Sequence, residues 1–176
     1  MNIFSRFVRA ALLLAALGAA TPAVARDSSP AMDWSVDHWR FQTSLYTRHF
    51  DREPDHDNTQ QLIDFMVFNP DGWHAGLAFF ENSFDQPSQY LYVGKAWELG
   101  RSGSFYWRLT GGLLHGYKDE YQDKIPFNGL GVAPILVPAL GFRHWRFFAE
   151  YHQAGLAAGM ITVGFNFSHG SSRKDD

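Results

Sequence analysis

Cysteine is absent from all 176 residues. No disulfide framework, thiolate metal site or thiol redox centre is open to this chain, so its stability has another source. Long apolar runs are also missing beyond the first 25 residues: nothing approaches the roughly 18 uninterrupted apolar residues of a membrane-crossing helix. Positive charge is scarce, with 15 Lys and Arg against 18 Asp and Glu. Without a basic stripe to neutralise phosphates, no nucleic acid is expected as a partner. The histidines, among them His56, His74, His115, His144 and His152, lack metal-ligand spacing, and no glycine loop cradles phosphate. No metal or cofactor is therefore expected. Aromatic residues and glycine are abundant instead: 16 Phe, 7 Tyr, 6 Trp and 16 Gly.

The start of the chain has a processing pattern. Arg6 and Arg9 precede an apolar run at 10–20, and Ala23-Val24-Ala25 supplies a small-x-small cleavage signature. Residues 1–25 read as a secretory signal peptide, too short in its apolar part to span a bilayer. The remaining 151 residues hold 13 basic against 18 acidic side chains, a formal charge of −5, and suit one domain. Residues 26–37, with Met32, Trp34 and Val36, read as a short interfacial segment. A barrel is expected over 38–167 and a polar tail over 168–176.

That expectation rests on period-two patterning, clearest in GWHAGLAFFENS at 72–83. Trp73, Leu77 and Phe79 fall on one face, with His74, Gly76 and Ala78 on the other. Large apolar residues alternating with small or polar ones suit a strand with lipid outside and a narrow lumen inside. Seven more segments read as strands, over 38–51, 62–68, 89–98, 105–117, 130–140, 145–151 and 159–167. In the first, Trp39, Phe41, Thr43 and Leu45 share a face, opposite Arg40, Gln42, Ser44 and Tyr46. In the last, Ile161, Val163, Phe165 and Phe167 point out, and Met160, Thr162, Gly164 and Asn166 point in. Long polar links are expected after strands one, three, five and seven, and short turns after two, four and six. The fold class is all-β: an eight-stranded antiparallel up-and-down transmembrane β-barrel. A soluble lipocalin-like barrel also alternates, but it would carry its large apolar residues inside.

Pro134 and Pro138 both fall in the sixth strand, where proline leaves gaps in the ladder. In lipid such gaps are costly. They mark either a lateral opening between strands six and seven or a bulged strand without traffic.

Several short motifs recur in a telling order. They are Arg48-His49-Phe50 closing strand one, Gly72-Trp73-His74 opening strand three, and Phe80-Glu81-Asn82-Ser83 closing it. Trp97-Glu98, Pro134-Ile135-Leu136-Val137-Pro138 and Phe165-Asn166-Phe167 follow. Over 39–167 the chain resembles the lipid A palmitoyltransferases, the PagP family of outer-membrane enzymes, as a divergent member. The resemblance implies a barrel whose lumen holds one acyl chain. It also implies transfer of palmitate, or a similar chain, from a phospholipid to lipid A in the bacterial outer membrane. No cofactor is implied, and so small a barrel is expected to be a monomer.

Three rim residues carry over as catalytic: His49, Asn82 and Ser83. His49 would act as general base, and Ser83 as a nucleophile or an oxyanion-side donor. The family places Asp where this chain has Asn82, and an amide orients an imidazole without stabilising its charge. Glu81, Asp85 or Asp51 could supply the missing carboxylate. Gly94 and Ala96 carry over as the floor of the acyl pocket, with the Ala96 methyl shortening the accepted chain. Lys118 stands where the family has a basic residue. Two other readings accompany this one: a non-catalytic structural or lipid-binding barrel, and a lipid A deacylase.

Overall fold

The alternating segments close on themselves. The computed structural model describes residues 33–49, 61–154 and 158–168, without the side chains of His49 and Ser168. The expected signal peptide, residues 26–32 of the interfacial segment, most of the first long link including Asp51 and His56, and the tail from 169 lie outside the described residues. Eight strands follow in chain order: β1 His38–His49, β2 Leu62–Phe68, β3 Trp73–Glu81, β4 Pro87–Leu99, β5 Phe105–His115, β6 Val132–His144, β7 Phe147–Ala154 and β8 Ala158–Ser168. Each pairs antiparallel with the next, and β8 returns to β1, so the sheet is a closed barrel. Closure satisfies backbone groups that an open edge would leave unpaired. Among the described residues no helix is long and apolar enough to cross a membrane. The one helical element there is a 3-10 turn at Asp119–Lys124.

The molecule is apolar outside and polar inside. Leu136 is 69% exposed and Leu91 57%, while Arg108, Glu150 and His74 are at most 2% exposed. Strands β3 and β8 present the faces expected from their patterning, with Leu77, Phe79 and Ile161 outward, and Ile63 and Phe65 of β2 are outward too. Glycine lets lumen aromatics lie flat across neighbouring strands. A Cβ at Gly76 would strike the Tyr92 ring, and one at Gly141 would strike the ring of Tyr106.

Four expectations need correction. Tyr46 was expected inward beside Ser44, yet it is exposed, and Thr47 is buried in its place. The register shifts between Ser44 and Tyr46, so Leu45 is an extra residue on β1 and every later side chain changes face. The long-short rhythm of the links holds only in part, because links 82–86 and 155–157 are as short as the turns 69–72 and 100–104. Strand β7 runs on through His152, Gln153 and Ala154 because its inward positions face a polar lumen. His152 Nε2 lies 2.9 Å from Thr162 Oγ1 and 3.3 Å from Glu150 Oε2. Finally, β5 stops at His115, since Gly116 leaves the strand at φ +132.

Candidate functional site

Strands β1, β3, β5 and β7 end at one rim, which carries the two long links, 50–61 and 116–131. His49 and Ser83 both belong to this long-loop rim. His49 closes β1, pairs in register with Ala158, and stands two strands from β3. That separation is roughly 10 Å of wall at the usual strand spacing.

Asn82 is buried and builds the β3–β4 turn. Its Oδ1 accepts from the N–H groups of Phe84 at 2.9 Å and Gln86 at 3.2 Å. Its Nδ2 donates to the Gly116 carbonyl at 3.4 Å. The turn and the β5–β6 link then clip together. Lys118 N–H donates to Gln86 Oε1 at 3.0 Å, and Gln86 Nε2 returns a bond to the Lys118 carbonyl. Phe84 stacks on Tyr121 with ring centres 4.0 Å apart. Of the alternative acids, Glu81 and Asp85 are exposed, and so is Lys118.

Ser83, 8% exposed, is set against a residue the sequence did not single out. Burial holds the Tyr117 phenol above its usual range, opposed by a hydrogen bond with the Ser83 hydroxyl. Tyr117 enters the rim because Gly116 turns the chain off β5. A Cβ at Gly116 would strike Ser88, so the two links meet at backbone distance. Thr47, buried on β1 below the same rim, has a hydroxyl without a hydrogen-bond partner among the described residues.

Below the rim the interior combines apolar packing with buried charge. Met66, Phe68, Ala78, Tyr90, Tyr92 and Leu114 form an apolar cluster, with Leu62, Phe80, Ala96, Tyr117, Ile125, Ile135 and Val137 packed against it. Buried charge lies beside this cluster. Arg40 on β1 and Arg108 on β5 both reach Glu150 on β7, at 2.8 and 2.6 Å. Tyr106 donates to the same carboxylate at 2.8 Å. Asp64 accepts from Tyr92 at 2.6 Å and from Gln42 at 2.7 Å. Arg40 and Gln42 fall on the inner face expected for strand one, and Asp64, Arg108 and Glu150 sit mid-strand at inward positions of the same period-two pattern.

Ala96 packs against this apolar cluster. The space over Gly94 is taken by the His74 imidazole, whose Nε2 lies 3.3 Å from Arg108 Nη1. Ala96 lies one inward position further toward the short-turn rim, its N–H bonded to the Gly72 carbonyl at 3.0 Å. The neighbouring Trp97 stacks on Trp107 at 4.2 Å, and Glu98 pairs with Arg143 at 2.6 Å. Of the two residues expected as a pocket floor, Ala96 borders the apolar cluster, and the space over Gly94 is closed by the Leu109 carbonyl and the His74 ring.

Pro134 and Pro138 pair in register with Leu113 and Leu109 of β5. On the other side, pairing with β7 begins only at Ala139↔His152 and runs to His144↔Phe147. Among the described residues, the half of β6 that holds both prolines therefore has no β7 partner.

No group of three or more His, Asp or Glu is placed to hold a metal among the described residues. No family model matches the chain, and no curated protein does. Among solved structures, the fold is similar to one described as "De novo design of transmembrane beta-barrels". The TM-score is 0.50 at 9% identity, covering 77% of this chain and 100% of that one. With its lipid-facing exterior and closed eight-stranded sheet, the chain has the fold of a transmembrane β-barrel.

Proposed function

We propose that this barrel is an outer-membrane acyltransferase of the lipid A palmitoyltransferase type. It moves a palmitoyl or similar chain from a phospholipid to lipid A. The observation that carries the reading is the apolar cluster of β2–β5 side chains inside the barrel, against which Tyr117, the neighbour of Ser83, is packed. An apolar interior that reaches a hydroxyl-bearing rim suits a single fatty chain, whose entry would displace these packed side chains. The unpartnered, proline-bearing half of β6 supports lateral entry of that chain from the bilayer.

In the reaction, His49 takes the proton from a lipid A hydroxyl, whose oxygen attacks the ester carbonyl. Ser83 donates a hydrogen bond to the oxyanion. Collapse breaks the donor's ester bond, and the departing lysophospholipid oxygen takes the proton back from the imidazolium. The donor role fits Ser83 better than the nucleophile role, because its neighbour Tyr117 is held protonated by burial and is no base.

Mass spectrometry of lipid A from cells with and without the protein tests this reading. Mass gain of one acyl chain is expected, and it should vanish for His49→Ala and for Ser83→Ala with the barrel still heat-resistant. Acylation that persists in both variants, or no mass change with the intact protein, overturns it. One observation favours a second reading, a lipid-binding barrel without transfer: both acceptor positions of the Asn82 amide are committed to the turn. That reading predicts unchanged lipid A and a fatty chain retained in the bore. Loss of an acyl chain would instead mark a deacylase.

A further inference from the structure

The β5–β6 link exposes two large apolar side chains almost completely, Phe127 at 85% and Leu130 at 96%. The tip that carries them is firmly built. Between them Asn128 is 4% exposed, and its Nδ2 donates to the carbonyls of Tyr117 and Gln122, each at 3.0 Å. The Asn128 carbonyl accepts from Gly131 N–H at 2.8 Å and from Gln122 Nε2 at 2.9 Å. Phe127 itself has φ +64, a backbone conformation unfavourable for a bulky residue, so its outward display is held by the surrounding bonds. Water is a poor destination for such a pair.

The tip continues a surface already committed to lipid. Leu130 comes just before β6, whose Val132 and Leu136 are exposed, and beside them Leu113 of β5 is 52% exposed. Four of the five charged residues of the link, Asp119, Glu120, Asp123 and Lys124, are grouped instead in the 3-10 turn, which buries none of its residues, and the fifth, Lys118, directly precedes it. We propose that Phe127 and Leu130 insert into the hydrocarbon of the membrane at the long-loop rim. They anchor the link beside the half of β6 that lacks a β7 partner among the described residues. The inference needs only the membrane barrel, not acyl transfer.

The absence of cysteine allows single nitroxide labels at Leu130→Cys, Leu136→Cys and Glu120→Cys. Each labelled protein is refolded into phosphatidylcholine vesicles, and collisions with oxygen and with a water-soluble nickel chelate are compared. The Leu130 label should favour oxygen, as the lipid-facing Leu136 label does, while the Glu120 label should favour nickel. A label at Phe127→Cys should agree with Leu130. Nickel access at Leu130 equal to that at Glu120 overturns the proposal. So does spin–spin broadening that grows with protein density, which would mark a second copy as the occupant. Heat-modified mobility on gels shows which labelled proteins have folded, independently of any enzymatic activity.

Discussion

Ser83 and Tyr117 show how far a single residue can be read from sequence. The position of Ser83 at the end of β3 follows from alternation and the polar pair that breaks it. Its partnership with Tyr117 does not, because the two residues meet through separate links across the β4–β5 hairpin. Replacing Tyr117 by Phe should cost about 1 kcal/mol near neutral pH through the lost hydrogen bond. The pH dependence has a definite sign. An acid whose folded pKa is raised keeps its proton while the unfolded phenol, near 10.0, gives its own up. Stability from Tyr117 is present below that value and is lost as pH rises from about 10 toward the folded pKa. Urea unfolding in vesicles should therefore show a smaller alkaline loss for Tyr117→Phe than for the native chain. Gly94→Ala belongs to the same scale. Its methyl would meet the Leu109 carbonyl and the His74 ring, so a loss of about 1–3 kcal/mol is expected.

At the scale of elements, legibility followed the contrast between lipid and lumen. Strands β3 and β8 were readable because bulky residues alternate with small or polar ones. The face switch in β1 was not, since one extra residue, Leu45, leaves composition unchanged while moving Tyr46 outward. The end of β7 looked like loop because His152 and Gln153 are polar, a property that suits a polar lumen as well as solvent. Strand β6 was the reverse case: Pro134 and Pro138 announced a gap in pairing, and the ladder with β7 begins only at Ala139. Replacing both prolines by Val restores two N–H donors. Each bond regained should add about 0.5–1.5 kcal/mol to stability, read as a higher urea midpoint. On the proposed mechanism, the same double variant should slow lipid A acylation measured with phospholipid donor in vesicles. Unchanged turnover would remove lateral entry between β6 and β7.

At the scale of the molecule, the barrel inverts the usual protein: charge is held inside and hydrocarbon side chains face out. Arg40 and Arg108 come from opposite sides of the eight-stranded wall and meet at Glu150. Removing that carboxylate leaves two cations facing each other without water, so Glu150→Ala should destabilise the barrel by about 3–5 kcal/mol. Reversible unfolding in vesicles measures that loss, and a change below experimental error would show that the brace is dispensable. The brace also makes this cylinder an electrical insulator. A planar bilayer holding many copies should pass no steady current under applied voltage, whereas Glu150→Ala should flicker open to small ions. On the proposed function, a cell could carry lipid through such a barrel in quantity without short-circuiting its own envelope.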